Sequence, residues 1–310
     1  MKDIFDVWGS KIKDFHYCPY TVYMHFVKGI SAPPTRELFE KTIEHNITEA
    51  VVAAGLDKLS KENIFETSTQ KAEWISQFIL DDTMSHERYR KIISERSIQN
   101  DADILKIDAK ETMNIGRRVA GNISRTCNVI AEWAKENADN NVIYRYAHEK
   151  KFRAIDKELT GKRGIGAKPD FVVAESYDNG WVIYPIEVKS GRTRKPYYGE
   201  IMQLTAELIC IGRNRSKLDD LVGGRNWRIG ERTKMIFTEG SMVDVDLSDK
   251  KYEEDVWKTS HQIRNIESEF NEGRLEPNYK NCFSCSLAKY KINGKPACEK
   301  AKKLWPTRNS

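Results

Sequence analysis

Two apolar runs joined by Asp178-Asn179-Gly180 constrain this chain more than any other stretch. Asp, Asn and Gly accept the positive φ angles of a tight hairpin, so Lys168–Ala174 and Trp181–Lys189 are expected to be antiparallel neighbours. The second strand runs Val182, Ile183, Tyr184, Pro185, Ile186 without a charged residue, as a buried strand does. Pro185 is the discordant residue, because it has no N–H to give a ladder. A bulge or one-sided pairing is expected there.

The apolar run ends in Glu187-Val188-Lys189, and the first strand opens Lys168-Pro169-Asp170. Side chains two apart on a strand leave the same face, so Glu187 and Lys189 project together and Asp170 can meet them from the paired strand. Two carboxylates can hold Mg²⁺ or Mn²⁺ and leave positions open for water and a phosphate oxygen. A lysine beside them can orient the attacking water or stabilise negative charge growing on the phosphate. The bland reading is a surface salt-bridge cluster on a hairpin. Against it stands the burial expected of this strand, where an idle charge is costly.

Residues 1–140 read mostly as helices. Apolar periodicity runs through Phe5–Val27, Leu38–Leu56, Lys71–Leu80 and Thr112–Trp133, and Pro33-Pro34 breaks the first pair. The polar stretch Ser97–Ile107 reads as a loop. In 141–272, Val142–Arg153 reads as a strand before the hairpin, and Tyr198–Ile211 as a helix after it. Lys234–Thr238 and Val243–Leu247 form a second expected hairpin, and Tyr252–Glu272 a last helix. Residues 273–310 are a cysteine-bearing tail. The expected architecture is α/β: a core at 141–272, a helical region at 1–140, and the tail.

With 310 residues, 39% hydrophobic and 31% charged, the chain can bury a sizeable core. No apolar run approaches the length of a membrane span, and the opening MKDIFDVWGSKIKDF lacks the apolar centre of a signal peptide. A cytoplasmic location without a membrane partner is expected. The net charge is only +5, but basic clusters at Lys150–Arg153, Lys162–Arg163, Arg192–Lys195, Arg225–Arg228 and Lys300–Lys303 stand near Tyr197, Tyr198, Trp227 and Trp305. Basic and aromatic surface together suits nucleic acid. Each cluster alone is equally an ordinary solvated face.

The six cysteines divide by setting. Cys127 lies on the helical stripe Met113, Ala120, Ile123, Cys127, Ile130, Ala134, and Cys210 in the run Leu208–Ile211, so both read as core. Cys18, Cys282, Cys285 and Cys298 sit in polar or turn-like contexts. Four thiolates of this kind suit a structural zinc ion or an iron–sulfur cluster better than disulfides in a cytosolic chain.

The stretch Gly164-Ile165-Gly166-Ala167-Lys168-Pro169-Asp170, the hairpin, and Ile186-Glu187-Val188-Lys189 together resemble the PD-(D/E)xK nucleases, specifically the RecB-like branch. That resemblance implies a restriction-endonuclease-like mixed sheet and a metal held by Asp170, Glu187, the main-chain carbonyl of Val188 and an upstream helical histidine, His45. Without the family, His45 is an ordinary surface or capping histidine. An imidazole ligand favours Mn²⁺ over Mg²⁺. Gln203 in Met202-Gln203-Leu204 matches the branch's glutamine motif. Where the branch often carries a tyrosine one turn later, this chain has Ala206 and Glu207, with Tyr197 or Tyr198 as candidate substitutes.

One cysteine before the core and three after it is similar to the iron–sulfur nucleases of that branch, among them the CRISPR-associated exonucleases of the adaptation module. The implied assignment is a 4Fe–4S cluster on Cys18, Cys282, Cys285 and Cys298, with zinc as the alternative. The gap from Cys285 to Cys298 exceeds the family's short spacing, and Lys289–Gly294 reads as an inserted turn. The resemblance implies exonuclease action on single-stranded DNA, prespacer trimming, and the CRISPR adaptation integrase as partner. A non-catalytic, cluster-stabilised DNA-binding or assembly subunit is the competing expectation.

Overall fold

The computed structural model describes residues 6–61, 73, 96–120, 123–138, 142, 144–148, 150–155, 163–177, 180–191, 195–224, 226–282, 285–292 and 295–298. The expected helix at Lys71–Leu80 and the turn at 178–179 lie outside the described residues. The fold is mixed α/β, built on a six-stranded mixed sheet and a three-stranded mixed sheet.

The larger sheet contains β2 (Tyr144–His148), β5 (Phe171–Tyr177), β6 (Gly180–Lys189), β7 (Trp227–Ile229), β8 (Arg232–Phe237) and β9 (Ser241–Asp246). β5 and β6 are antiparallel, with Phe171 opposite Ile186 and Tyr177 opposite Gly180. On its other side β6 has two successive parallel partners. β7 pairs with residues 181–183 and β8 with residues 186–189. The ladder is interrupted between them, and Pro185 falls in the gap, where no N–H is required. Its carbonyl is not idle, because the Thr233 hydroxyl donates to it. Gly230 makes the crossing between β7 and β8, where a Cβ would stand 2.8 Å from Val182 Cγ1.

Both faces of this sheet are covered, which explains the unbroken apolar run of β6. Val182, Tyr184, Ile186 and Val188 face a core shared with α3 (Arg36–Lys61), α4 (Arg96–Leu105), α5 (Ala109–Ala120) and α6 (Ile123–Ala138). Trp181 and Ile183 face a second core with α1 (Gly9–Tyr17), α2 (Pro19–Phe26), α7 (Tyr198–Gly212), α8 (Arg215–Val222) and α9 (Lys250–Arg264). Ile183, Ile186 and Val188 are fully buried, each stabilising the fold by about 2 kcal/mol. Cys127 and Cys210 sit one in each core, as their stripes predict.

The smaller sheet sets β4 (Gly164–Ala167) between β3 (Phe152–Ile155), antiparallel to it, and β1 (Asp6–Trp8), parallel to it. β1 was hidden in what the sequence presents as one helix at Phe5–Val27, and its partner β4 lies far along the chain. The stretch expected as a loop at Ser97–Ile107 is largely α4. Ile98 and Ala102, one turn apart, are buried, while Gln99, Asn100 and Asp103 face out. Leu105 packs against the same core, so a stripe at positions 98, 102 and 105 seats the helix. Thr112–Trp133 divides into α5 and α6, and Tyr252–Glu272 into α9 and α10 (Ile266–Asn271).

Candidate active site

The ends of β5 and β6, α3 and the first turns of α7 converge on one group of polar side chains. Asp170 precedes β5 and its Oδ2 accepts the Val188 backbone N–H at 2.7 Å. On β6, Lys189 Nζ donates to Glu187 Oε1 at 2.6 Å and to Gln203 Oε1 at 3.2 Å. The Gln203 amide donates to Glu187 Oε1 at 2.5 Å and to Glu207 Oε1 at 2.9 Å. Asp170, Glu187, Lys189 and Gln203 are therefore brought together. For Val188 the structure shows an amide contact to Asp170.

α7 can reach this point because α1 lies close along it. A Cβ at Gly199 would come within 2.9 Å of the Lys13 carbonyl. Near-backbone contact of that kind requires glycine. α3 is tied to the site from the other side by Thr238, which is buried. The Thr238 amide donates to the Lys189 carbonyl at 3.0 Å. Its hydroxyl donates to Glu44 Oε1 at 2.7 Å and accepts the Gly191 N–H at 2.9 Å. Glu44 immediately precedes His45, so one threonine links the histidine's helix to the strand carrying the lysine.

His45, Glu49 and Asp170 present ligand atoms that lie within 4.8 Å of one another. His45 Nε2 and Glu49 Oε2 are 3.8 Å apart. Glu187 is adjacent, with Oε1 committed to Lys189 and Gln203. Its Oε2 is buried and has no hydrogen-bond partner among the described residues, as is true of Glu207 Oε2. Glu49 and Glu207 were not singled out as site residues from sequence. The available signal was spacing: each lies four positions after a site residue, His45 and Gln203, and so on the same helix face.

The electrostatics are those of crowded acids in a dry place. Burial pushes the Asp170 carboxyl well above its ordinary range, and the Glu187 and Glu49 carboxylates add to the shift against Lys189 and the Val188 N–H. Burial and then Glu187 raise Glu207 in the same direction. Burial would lower Lys189, but Glu187, its hydrogen bond and Asp170 outweigh that and hold the ammonium above its ordinary value. Burial lowers His45 against the pull of Glu49, favouring the neutral imidazole that ligates metals. Lys13 on α1 is a second cation nearby, lowered by burial and by Lys189.

The four singled-out cysteines meet at the opposite end of α1. Cys18, Cys282, Cys285 and Cys298 are all buried and line one cavity with Tyr20, Leu287 and other residues. Burial raises the Cys282 thiol, and the other three cysteines raise it further. Tyr17 and Asn281 join the two chain segments, with the Tyr17 hydroxyl donating to the Asn281 carbonyl and Asn281 Nδ2 to the Tyr17 carbonyl. The long interval before Cys298 holds α11 (Ser286–Lys289) and a small hairpin of β10 (Lys291–Ile292) with β11 (Lys295–Pro296).

Tyr198 donates its hydroxyl to Asp255, and Tyr197 is exposed. Lys150 and Lys217 direct their ammonium groups to backbone carbonyls. Lys162, Arg192–Arg194, Arg225 and Lys300–Lys303 lie outside the described residues. A cavity of about 520 Å³ lies away from the converging carboxylates, among Glu175, Tyr184, Arg228, Arg232 and Lys234.

No helix among the described residues is long and apolar enough to cross a membrane. No family model matches the chain, and no curated protein matches it. A solved structure titled "Crystal structure of SSO0001" matches with a TM-score of 0.28 and 12% identity, covering 80% of this chain and 96% of that chain. Similarity at that level assigns neither fold family nor function.

Proposed function

We propose that the chain is a metal-dependent DNA nuclease with a restriction-endonuclease-like core, acting as an exonuclease on single-stranded ends. The observation that carries this reading is the convergence of Asp170, Glu187, Lys189 and Gln203 with His45 beside them. Carboxylates are crowded there, and a buried carboxylate oxygen on Glu187 lacks a partner. Such a donor set fits a hard divalent cation with one imidazole, Mn²⁺ or Mg²⁺. His45, Asp170, Glu187 and the Val188 carbonyl are the residues that would hold it. When bound, the ion acidifies a water and neutralises charge on the scissile phosphate.

The chain's own residues do the rest. Lys189 is fixed by Glu187 and Gln203 and keeps its proton, so its ammonium donates to a phosphate oxygen or an attacking water rather than accepting a proton. Gln203 spans Glu187 and Glu207 and sets the orientation of Glu187. Lys13 adds positive charge where a strand's phosphates approach.

The cysteine cavity is read as the seat of a 4Fe–4S cluster rather than zinc. Zinc–sulfur bonds of about 2.3 Å put tetrahedral sulfurs roughly 3.8 Å apart. Among the described residues, no three of these cysteines gather within the 4.8 Å that His45, Glu49 and Asp170 satisfy. The preference for the cluster rests on the resemblance to iron–sulfur nucleases of the RecB-like branch. Prespacer processing beside a CRISPR adaptation integrase is the cellular role this reading carries.

Purified protein incubated with end-labelled single-stranded DNA and Mn²⁺ tests the proposal. Lys189→Ala and Asp170→Ala are each expected to reduce cleavage by about 10³-fold. Undiminished cleavage in both variants overturns the mechanism.

A further inference from the structure

Glu49 has no place in the catalytic set read from the sequence, yet the structure puts it at the centre of the acidic group. It lies one turn beyond His45 on α3, so both side chains leave the same helix face. One ligand atom from each of His45, Glu49 and Asp170 falls within 4.8 Å of the other two. Small side-chain adjustments would bring three donors so placed to ordinary metal–ligand distance, roughly 2.0–2.2 Å for nitrogen and oxygen ligands, from one ion.

A second observation points to a cation at this point. Glu187, itself 5% exposed, stands beside the group with Oε2 buried and unpartnered among the described residues. Lys189 is bonded to the other oxygen of Glu187 and to Gln203, so it does not satisfy the orphaned one. Asp170 receives one N–H, from Val188. The buried, unpartnered Oε2 of Glu187 calls for a positive charge.

We infer that Glu49 is a direct ligand of the divalent ion, so that α3 would contribute a His45/Glu49 pair to the metal alongside Asp170 and Glu187. This deepens the nuclease reading and rests on its metal site. Glu49 adds a hard anionic oxygen beside a borderline nitrogen donor and raises the charge of the ligand set to three carboxylates and an imidazole. A set of that kind binds Mn²⁺ tightly and retains Mg²⁺ less well, because the imidazole contributes little to magnesium. The competing account is that Glu49 only pairs with His45, at 3.8 Å, and orients its ring.

Metal binding, rather than cleavage, separates the two accounts. Mn²⁺ titrations followed by electron paramagnetic resonance are expected to show one tight site in the intact protein. Glu49→Gln, which keeps size and helix preference, should weaken that site by about tenfold or more. An orienting carboxylate also influences affinity, so a second variant decides the matter. Glu49→Cys titrated with Cd²⁺ should show a further thiolate-to-cadmium charge-transfer band in excess of any that the four clustered cysteines give in the unmodified protein treated identically. That band requires a direct bond. Unchanged Mn²⁺ affinity in Glu49→Gln, or no new band in Glu49→Cys, overturns the inference and leaves the nuclease reading intact. A protein that binds Mn²⁺ through position 49 yet cuts no DNA sinks the nuclease reading and leaves the inference standing.

Discussion

On one side of α1 four acidic side chains, Glu49, Asp170, Glu187 and Glu207, crowd together with Lys189 and Lys13 nearby, whereas beyond its C-terminus four thiols share an apolar cavity. The two sites differ in what folding them costs. A protonated thiol is a small hydrophobic group and enters a core cheaply. Carboxylates that repel one another in a dry setting oppose folding until a proton or a cation joins them. The cysteine cavity can form first and be loaded later. The carboxylate site is held in shape by hydrogen bonds from Val188, Gln203 and Thr238 that work against its own charge.

The largest expected effect breaks the comparison on the cysteine side. If one inorganic centre bridges Cys18 and the tail, it constrains a very long loop, worth roughly 5 kcal/mol in chain-entropy terms. Cys18→Ser should lower stability by about that amount in denaturant unfolding and remove the brown colour of an iron–sulfur protein. A colourless parent protein with the same stability as the variant would remove the contrast altogether.

A smaller effect tests whether the carboxylate site depends on its scaffold. Thr238→Val keeps the shape of the side chain but strips a partner from Glu44 and from the Gly191 amide. The expected loss is about 2 kcal/mol. Weaker Mn²⁺ binding should accompany it, with the absorption of the cysteine site unchanged. Equal damage to both sites would mean that Thr238 supports the fold generally.

The smallest effect has the opposite sign. Because burial and then Glu187 raise the Glu207 carboxyl, the folded chain keeps this proton at pH values where the unfolded chain has released it. Stability from this group is full below the ordinary carboxylate range and is lost as pH rises through the raised value. Glu207→Gln removes that loss. The variant should be more stable than the parent by about 1 kcal/mol at alkaline pH without metal. In thermal melts its advantage should shrink as the medium is acidified. A variant less stable than the parent at every pH would show that Glu207 is held by a partner worth more than its desolvation.

The sequence makes the hairpin legible because every local signal there agrees: turn residues, an apolar run, and carboxylates two apart from a lysine. It also flags Pro185 as needing a gap, and the handover from β7 to β8 provides one. β1 and β4 were illegible because three- and four-residue strands carry no period of their own, and β1 is defined by a partner over 150 positions away. Glu49 and Glu207 escaped notice because a glutamate on a helix is ordinarily a solvated residue. Only tertiary packing turns these two inward. The α4 stripe of Ile98, Ala102 and Leu105 has helical spacing but is diluted by the polar residues between them.

The exchange of two hydrogen bonds between Tyr17 and Asn281, 264 positions apart, bears on how the molecule is made. A nascent chain emerges from its first residue onward. Cys18 is therefore synthesised long before Cys282, Cys285 and Cys298, whereas His45, Asp170, Lys189 and Gln203 are all present once residue 203 has appeared. The carboxylate site can be assembled during translation. The cysteine pocket can close only after Cys298 has emerged, so whatever fills it must be delivered after the residues of the carboxylate site are already in place.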